Sequence, residues 1–385
     1  MAIAKAYFDN ASTTYVKPVE VHNFMHAFYE ANSVNIGRGN HELLNDSKKI
    51  VSETRQMLLN LFCANSDYIA VFQPTATEAL NVIIQGQELN AGQNIYISPF
   101  EHNAVYRTVK HLEKDKGIRV IELLVDKKTL AFQFDKINRQ FADNKPALVI
   151  VSHVSNVCGN IAPINELGKL VKEYKAIYTI DCAQSAGLLE TDIVKCRADY
   201  MVFAGHKTLY GAFGCSGFIC KKTAKLKPLI FGGTGIDSKS AEMPTDLPMR
   251  FEAGSINILS IAGLHAALTW HKKTGKENIR KKEETLYNQL LQMLSDCNTV
   301  EIVGNTTTAV SIVSCIFKDF SPESVEQILS SNGIITRSGL QCAPIAHKLL
   351  GTYPAGTVRF SISYFTTQEE LKQLLDVIQE FTKNM

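Results

Sequence analysis

A lysine and an aspartate at the ends of two apolar segments have the types and the spacing of a reactive pair. Lys207 ends the segment at 198–207, and Asp181 ends the one at 176–181. A lysine placed there is poorly solvated, so its amine can be held near neutrality and form a Schiff base; the ordinary alternative is a lysine that reaches out to water. The nearby carboxylate favours the reactive interpretation. Pyridoxal phosphate needs an amine for its aldehyde and a carboxylate that keeps its pyridine nitrogen protonated.

The sequence T-A-T-E at residues 75–78 could hold the phosphate of such a cofactor. The hydroxyl of Thr75 or Thr77 and the free backbone N–H groups would form an anion site at the start of a helix. The ordinary alternative is a capping signature that pairs Thr75 with Glu78. The chain lacks a G-x-G-x-x-G fingerprint and a G-x-x-x-x-G-K-[ST] loop, which removes motif support for a dinucleotide site or a P-loop.

A cysteine in a loop is the third candidate for chemistry. Cys342 lies in R-S-G-L-Q-C-A-P at 337–344, and the Gly and Pro around it favour a loop that reaches in and swings out. The chain has nine cysteines, an odd number without a C-x-x-C pair, so neither a disulfide framework nor a zinc site is expected. We interpret the other eight as small hydrophobic residues and expect a reducing, cytoplasmic location.

The elements that must position these residues alternate between apolar strands and helices. Such alternation, with helices of about 10–15 residues, predicts an α/β fold with a mostly parallel sheet, which binds ligands beyond the carboxyl ends of its strands. The strands are predicted at 68–73, 94–98, 147–156, 176–181 and 198–207. The polar residues at or just beyond their ends are Thr77, His102, Asn156, Asp181, His206 and Lys207. This convergence is the main reason to expect a site here.

The character of the chain changes after about residue 265, where a charged helix leads into short strands. We predict a large cofactor-binding domain at 15–265 and a smaller α/β domain that joins 1–14 to 266–385 and carries the Cys342 loop. The formal net charge of +2 gives no field that would favour nucleic acid or an anionic membrane. No apolar run is long enough for a spanning helix, and the first residues do not resemble a signal peptide.

Ten motifs in chain order resemble the class V aminotransferases, and more narrowly the cysteine desulfurase and selenocysteine lyase branch with an R-x-G-x-x-C-A loop. They cover residues 7 to about 365. The motifs are Y-F-D-N-A-S-T-T, G-R-G-N-H, T-A-T-E-A-L-N, E-H-N-A-V, H-V-S-N-V-C-G, D-C-A-Q, A-G-H-K, G-G-T-G, R-F-E-A-G-S-I-N and R-S-G-L-Q-C-A-P. The resemblance implies fold type I of the pyridoxal phosphate enzymes, with a seven-stranded, mostly parallel sheet.

The resemblance also implies a role for each candidate residue. Lys207 would bind the cofactor aldehyde, and His102 would stack on the ring and assist proton transfer. The residues that would hold the cofactor are Asp181 at the pyridine nitrogen, Gln184 and Asn156 at the phenolic oxygen, and Thr77, His206 and the backbone around Ala76 at the phosphate. Thr234 would reach the phosphate of the other subunit in a homodimer. The substrate residues would be Arg359 at the carboxylate and Asn156, with Arg337 and His41 more peripheral.

Two positions depart from the family pattern. Ala204 stands where the family usually has Ser, so one phosphate hydroxyl is missing; Thr208 or a backbone donor is the candidate replacement. Gln341 stands where this branch often has His before the cysteine. An amide cannot take a proton, so the activation of Cys342 would depend on the arginines and the cofactor.

The leading hypothesis is a cysteine desulfurase that converts L-cysteine to L-alanine. Lys207 would remove the α-proton, and Cys342 would take the sulfur as a persulfide for an acceptor protein in iron–sulfur cluster assembly, tRNA thiolation or a cofactor pathway. Selenocysteine is a plausible second substrate of the same site. One alternative keeps the cofactor but changes the reaction to transamination or another lyase step, which leaves Cys342 incidental. Another is an inactive relative that serves as a scaffold.

Overall fold

The computed structural model of the protein describes residues 6–37, 41–235, 239–307 and 309–383. Two of the predicted site residues, His41 and Thr234, lie close to the ends of these ranges. The strands are β1 Ala6–Tyr7, β2 Tyr68–Gln73, β3 Asn94–Ile97, β4 Arg119–Glu122, β5 Pro146–Ser152, β6 Ile177–Asp181, β7 Tyr200–Ala204, β8 Ser216–Lys221, β9 Val300–Val303, β10 Ile312–Phe317, β11 Ile334–Ile335 and β12 Val358–Ser361. The helices are α1 Val19–Asn32, α2 Glu42–Leu61, α3 Ala76–Gln85, α4 Asn103–Lys116, α5 Phe134–Asp143, α6 Ile164–Glu173, α7 Ile258–Thr274, α8 Lys276–Ser295, α9 Pro322–Ser331, α10 Pro344–Leu350 and α11 Gln368–Thr382.

The central element is a seven-stranded sheet in the order β2-β8-β7-β6-β5-β3-β4. The strands from β7 to β4 pair in parallel, whereas β8 is antiparallel to both of its neighbours. The predicted α/β fold with a mostly parallel seven-stranded sheet is therefore confirmed. Because β5, β6 and β7 run in the same direction, their carboxyl ends, at Ser152, Asp181 and Ala204, lie along one edge of the sheet.

Both faces of this sheet are buried. Val149 and Val151 of β5 pack into one apolar cluster, and the alternate residues Leu148 and Ile150 pack into another on the opposite face. Side chains alternate between the two faces of a strand, so a strand covered on both sides must be apolar throughout. This explains why β5 reads as a continuous run of hydrophobic residues rather than an alternating one.

Neither β4 nor β8 was predicted from the sequence, and β8 is the strand with a clear physical reason. It contains Gly217, where a Cβ would lie 2.0 Å from the Val71 carbonyl oxygen, so only glycine fits against the neighbouring strand. A glycine inside a short segment weakens the strand signal, since it usually marks a turn or bulge. The close approach that requires it becomes visible only when β2 and β8 are paired.

The C-terminal part forms a smaller layer with its own apolar core. Strands β9, β10 and β12 make an antiparallel sheet, and β1 pairs in parallel with β11. The N-terminal strand β1 thus lies beside the C-terminal elements. The predicted boundary at 265/266 falls inside α7, which packs against α1 and α2, so the division into domains stays a prediction. Within the described residues, no helix is long and apolar enough to cross a membrane.

Helix α7 carries a buried histidine that predicts a measurable pH dependence of stability. His271 is only 6% exposed, and its Nε2 lies 3.0 Å from the Thr208 carbonyl oxygen; burial lowers its pKa to about 4. An unfolded histidine titrates near pH 6.5, so between about pH 6.5 and 4 the unfolded chain binds one more proton at this residue. Its contribution to the free energy of unfolding is therefore complete above pH 6.5 and is lost as the pH falls through that window.

We expect His271→Gln to flatten the pH profile of stability. Urea unfolding between pH 6 and pH 5 should give a slope that is smaller than the wild-type slope by about 1.4 kcal/mol per pH unit. The exposed His111→Gln variant is the control for the substitution itself. Equal slopes for the wild type and His271→Gln would contradict this prediction, whatever the absolute stabilities are.

Candidate active site

A cavity of about 400 Å³ opens between the carboxyl ends of the parallel strands and the C-terminal layer. This volume lies within the range of small-molecule sites. Most of the predicted site residues line it, namely Ala76, Thr77, His102, Asn156, Asp181, Gln184, His206, Lys207, Arg337, Cys342 and Arg359. The fold therefore brings together residues that are spread from position 76 to position 359.

Two predicted residues do not reach this cavity in the single chain. Thr234 lines a second cavity of about 450 Å³ together with Arg55 and Glu252. His41 is exposed and caps helix α2, where its Nδ1 accepts a hydrogen bond from the Leu44 N–H at 3.2 Å. For Thr234 this agrees with a role that needs another subunit, and the substrate role of His41 stays a prediction, since in its own chain His41 lies outside the cavity.

The environment of Lys207 biases its amine towards the neutral form. Burial lowers its pKa, and the Asp181 carboxylate opposes that shift. Burial also raises the pKa of Asp181, while the Ala183 N–H, which donates to Oδ1 at 2.9 Å, and Lys207 counteract it. The carboxylate of Asp181 is therefore only partly compensated by Lys207, and the protonated pyridine nitrogen of pyridoxal phosphate would compensate it further.

Two histidines at the cavity are held neutral by burial. The pKa of His102 is lowered to about 4 and that of His206 to about 3, in both cases mainly by desolvation and then by Lys207. His102 precedes α4, and its Nδ1 accepts from the Ala104 N–H at 3.0 Å. The His206 ring stacks on Phe213 with centroids 4.5 Å apart. Both rings are thus fixed by local contacts at the edge of the cavity.

The start of α3 has the geometry of a capped helix. Thr75 accepts from the Glu78 N–H at 3.1 Å and donates to the Glu78 carboxylate at 3.0 Å, so the capping interpretation is confirmed. Thr77, the second residue of the same helix, is exposed at the cavity. Thr208 does not replace the hydroxyl that Ala204 lacks, since it lines a separate small cavity beside Glu283.

Arg359 is the most constrained cation of the site. It is 2% exposed, and its Nη2 contacts Asp9 at 2.6 Å and Ser12 at 2.9 Å, while Nη1 donates to the Asn156 carbonyl at 2.8 Å. Three fixed contacts orient the guanidinium and leave its Nε without a partner among the described residues. The free edge of the fork is suited to a carboxylate.

Backbone contacts hold the Cys342 loop on both sides. The Gly339 carbonyl accepts from the Thr357 N–H at 3.1 Å, and a Cβ on Gly356 would lie 2.2 Å from that same carbonyl oxygen. The Cys342 carbonyl accepts from the Asn103 N–H at 2.7 Å. The thiol itself is exposed. Cys63 is exposed too, so its interpretation as a small buried hydrophobe was wrong.

The sequence analysis missed several polar residues at the site. Asp9 was quoted within a motif, but its pairing with Arg359 has no signal in the sequence. Glu101 is fully buried beside the cavity and accepts from the Ser98 hydroxyl at 2.5 Å and from the Ser152 N–H at 2.6 Å; burial raises its pKa to about 8. A charged residue inside the E-H-N-A-V motif was the only available hint.

Comparison with known proteins identifies the family. The sequence profile described as aminotransferase class-V matches residues 6–374. This chain belongs to the class V aminotransferase family. Proteins of this family depend on pyridoxal phosphate.

Several similar proteins are described as cysteine desulfurases. A probable cysteine desulfurase of Methanothermobacter thermautotrophicus is 31% identical over 97% of this chain and 94% of its own length. A probable cysteine desulfurase of Pyrococcus abyssi is 32% identical over 98% of this chain and 94% of its own length. Among solved structures, the apo cysteine desulfurase of Thermococcus onnurineus NA1 superposes with a TM-score of 0.91 at 29% identity, covering 99% of this chain and 95% of that chain.

The residues of the cavity fit the family's cofactor. Three of its buried polar atoms have no partner within the described part of the chain: His206 Nδ1, Asn156 Oδ1 and Arg359 Nε. Buried polar groups in native proteins are normally hydrogen-bonded, so unpaired ones beside a cavity indicate a polar ligand. Together with an amine biased towards neutrality and a carboxyl without a full ion pair, they match the aldehyde, ring nitrogen and anionic groups of pyridoxal phosphate.

Proposed function

We propose that this protein is a pyridoxal phosphate-dependent cysteine desulfurase that converts L-cysteine to L-alanine and takes up the sulfur on Cys342. The observation that carries the proposal is that Lys207, Asp181 and Cys342 line one cavity. Cys342 interacts electrostatically with both Lys207 and Arg359. The cysteine desulfurases among the relatives support the same reaction.

The residues that would hold the cofactor follow from their places around the cavity. Lys207 binds its aldehyde, and Asp181 pairs with its pyridine nitrogen. His102, neutral and fixed by its cap, would stack on the ring. The phosphate is held by Thr77, the backbone at Ala76 and His206, whose Nδ1 is free to donate; Gln184 and Asn156 serve the phenolic oxygen. When bound, the cofactor supplies the electron sink that makes the α-proton of the substrate acidic.

The substrate carboxylate is proposed to bind the free edge of Arg359, with Asn156 and the exposed Arg337 beside it. Lys207, freed by the incoming amino group, takes the α-proton, because burial lowers its pKa and so favours the unprotonated amine. The orientation of Arg359 is set before binding by Asp9 and Ser12. Fixing it in advance reduces the entropy lost when the substrate binds.

The sulfur step is proposed to use Cys342 as a thiolate. Its Sγ attacks the substrate sulfur, a sulfur–sulfur bond forms, and the bond between that sulfur and the β-carbon breaks. The electron pair of the broken bond stays with carbon, which takes up protons to give alanine. The guanidinium groups of Arg337 and Arg359 line the same cavity as Cys342.

The test is incubation of the cofactor-loaded enzyme with L-cysteine, followed by amino-acid analysis and intact-protein mass spectrometry. We expect one alanine and one added sulfur atom per subunit in a single turnover, and the sulfur should map to the Cys342 peptide. Pyruvate, or the pyridoxamine form of the cofactor without added sulfur, would instead indicate a lyase or a transaminase. Alanine from selenocysteine alone would indicate a selenocysteine lyase.

The proposal extends to assembly, location and sulfur delivery. Thr234 follows three exposed apolar residues, Leu229, Ile230 and Phe231, which favours a homodimer in which Thr234 reaches the cofactor of the other subunit.

The nine unpaired thiols are compatible with a reducing cytoplasm. An acceptor protein, for iron–sulfur cluster assembly or another sulfur pathway, would collect the persulfide from the exposed Cys342. The two-domain division at 15–265 and 1–14 with 266–385 belongs to the same proposal.

A further inference from the structure

We propose that His347 and Gln341 are positioning residues that hold the Cys342 thiol in front of the cavity. The importance of that thiol rests on the proposed function. The two side chains act through the backbone of the loop and through each other, not on the substrate. The role of Gln341 is therefore different from that of a base beside the thiol, which an amide cannot be.

The loop needs such a support because of its backbone. Gln341 and Cys342 have φ angles of 40° and 59°, both in the left-handed region. For residues with a side chain this conformation is strained, because the Cβ comes too close to the following carbonyl oxygen. Two such residues in succession persist only where the surrounding contacts hold them.

The Gln341 amide has one possible orientation. Gln341 is 6% exposed, and one end of its amide lies 3.0 Å from the Thr357 carbonyl oxygen while the other lies 2.8 Å from His347 Nε2. A backbone carbonyl only accepts hydrogen bonds, so the NH₂ group must face Thr357. The amide oxygen then faces His347 Nε2, which must carry the ring proton.

The other ring nitrogen of His347 completes the arrangement. Its Nδ1 lies 2.7 Å from the Thr352 hydroxyl, which donates to it once Nε2 holds the proton. The residue has no exposed surface, and burial lowers its pKa to about 4, in agreement with a neutral ring. A neutral imidazole offers one donor and one acceptor on opposite sides, and this site uses both.

This hydrogen-bonded chain continues into the cavity. The Gln341 carbonyl accepts from Asn156 Nδ2 at 2.7 Å, so the loop is joined to a residue that lines the cavity from the large sheet. His347 lies on α10, directly after the loop. The pair therefore fixes Cys342 from its C-terminal side while Asn156 and Asn103 fix it from the cavity side.

Because Cys342 and Cys63 lie among different charges, the reactivity of Cys342 relative to Cys63 reports on the position of the Cys342 thiol. Cys342 lines the same cavity as the guanidinium groups of Arg337 and Arg359 and interacts with Arg359, whereas the largest charge interaction of Cys63 is with the Asp192 carboxylate, followed by Lys276 and Glu190. A negatively charged alkylating reagent should therefore favour Cys342 over Cys63, because local potential raises the concentration of the oppositely charged reagent. The preference disappears if Cys342 moves away from its cations.

The experiment compares iodoacetate with neutral iodoacetamide on the cofactor-loaded enzyme, with the rate at each cysteine read by peptide mass spectrometry. At each cysteine, the rate with iodoacetate is divided by the rate with iodoacetamide. In the wild type, this quotient should be about tenfold or more higher at Cys342 than at Cys63. His347→Leu and Gln341→Leu should each lower it by roughly threefold or more, and His347→Gln, which keeps a donor, should retain most of it. If His347 acts through Gln341, the double Leu variant should resemble Gln341→Leu alone.

Unchanged ratios in both Leu variants, or additive effects in the double variant, would overturn the proposal. If His347→Leu does not fold, Thr352→Val tests the same chain by removing only the hydroxyl at Nδ1, and an unchanged ratio there counts against it equally. Alkylation requires no turnover, so the outcome is independent of the proposed function. If the wild type consumes cysteine and the Leu variants keep the wild-type alkylation ratio, this inference is wrong and the proposed function stands.

Discussion

Replacing Lys207 with alanine is expected to abolish cofactor attachment and turnover together. Lys207 lines the cavity, and burial lowers its pKa, so it is proposed both to bind the cofactor aldehyde and to take the α-proton. Loss of a positioned base alone costs about 10²–10⁴-fold in rate. We expect at least that loss in alanine formation from cysteine, and no visible absorbance of lysine-bound cofactor after gel filtration.

Lys17 is the matched control because it is the other half-buried lysine beside the site. Burial lowers its pKa to about 7, and its Nζ donates to the His206 carbonyl at 2.9 Å, yet it does not line the cavity. Borohydride reduction makes the lysine–cofactor bond permanent, and peptide mapping then locates it. The label should map to Lys207 in the wild type and in Lys17→Ala. Label on Lys17, or an attached cofactor in Lys207→Ala, would contradict the assignment.

The same experiment separates an enzyme from an inactive scaffold. A chain that has lost its chemistry would bind the cofactor weakly, without a covalent bond to Lys207, and would keep its structure in Lys207→Ala. The residues required for attachment, Lys207 and Asp181, are both present at one cavity. We therefore expect the wild type to be isolated with bound cofactor and the variant without it.

The sequence predicted the large sheet and its site because their signals are local. Each buried strand is an apolar run, and in parallel strands the residues that follow the runs are brought to one edge by the fold itself. Asp181 ends β6, and Lys207 follows β7, its neighbour in the sheet. No information about distant contacts was needed to expect these two residues to lie together.

The contacts that orient the site could not be predicted in this way. Asp9 and Arg359 are separated by nearly the whole chain, and their 2.6 Å contact depends on β1 joining the C-terminal layer. Gln341 appeared in the sequence only as a missing base, because its partners His347 and Thr357 are selected by loop packing. Such contacts arise from tertiary structure, and single residues carry no periodic signal for them.

Replacing Cys342 with alanine is expected to remove sulfur transfer while leaving the cofactor in place. The thiol is the proposed acceptor of the substrate sulfur, and no contact with the cofactor is assigned to it, although it lines the same cavity. Alanine formation from cysteine should fall by about 100-fold or more, equivalent to about 2.7 kcal/mol of transition-state stabilisation. Added sulfur should disappear from the mass spectrum.

Cys63→Ala is the matched control, since Cys63 is the other exposed thiol and also has a positive φ, 51° against 59° for Cys342. It should keep both alanine formation and the added sulfur on Cys342. Full activity of Cys342→Ala on cysteine would move the assignment to a reaction in which this thiol is incidental. A variant that fails on cysteine but still releases alanine from selenocysteine would show that the thiol serves only as sulfur acceptor. Selenium leaves more readily than sulfur, so the rest of the cavity would then be sufficient for cleavage of the carbon–selenium bond.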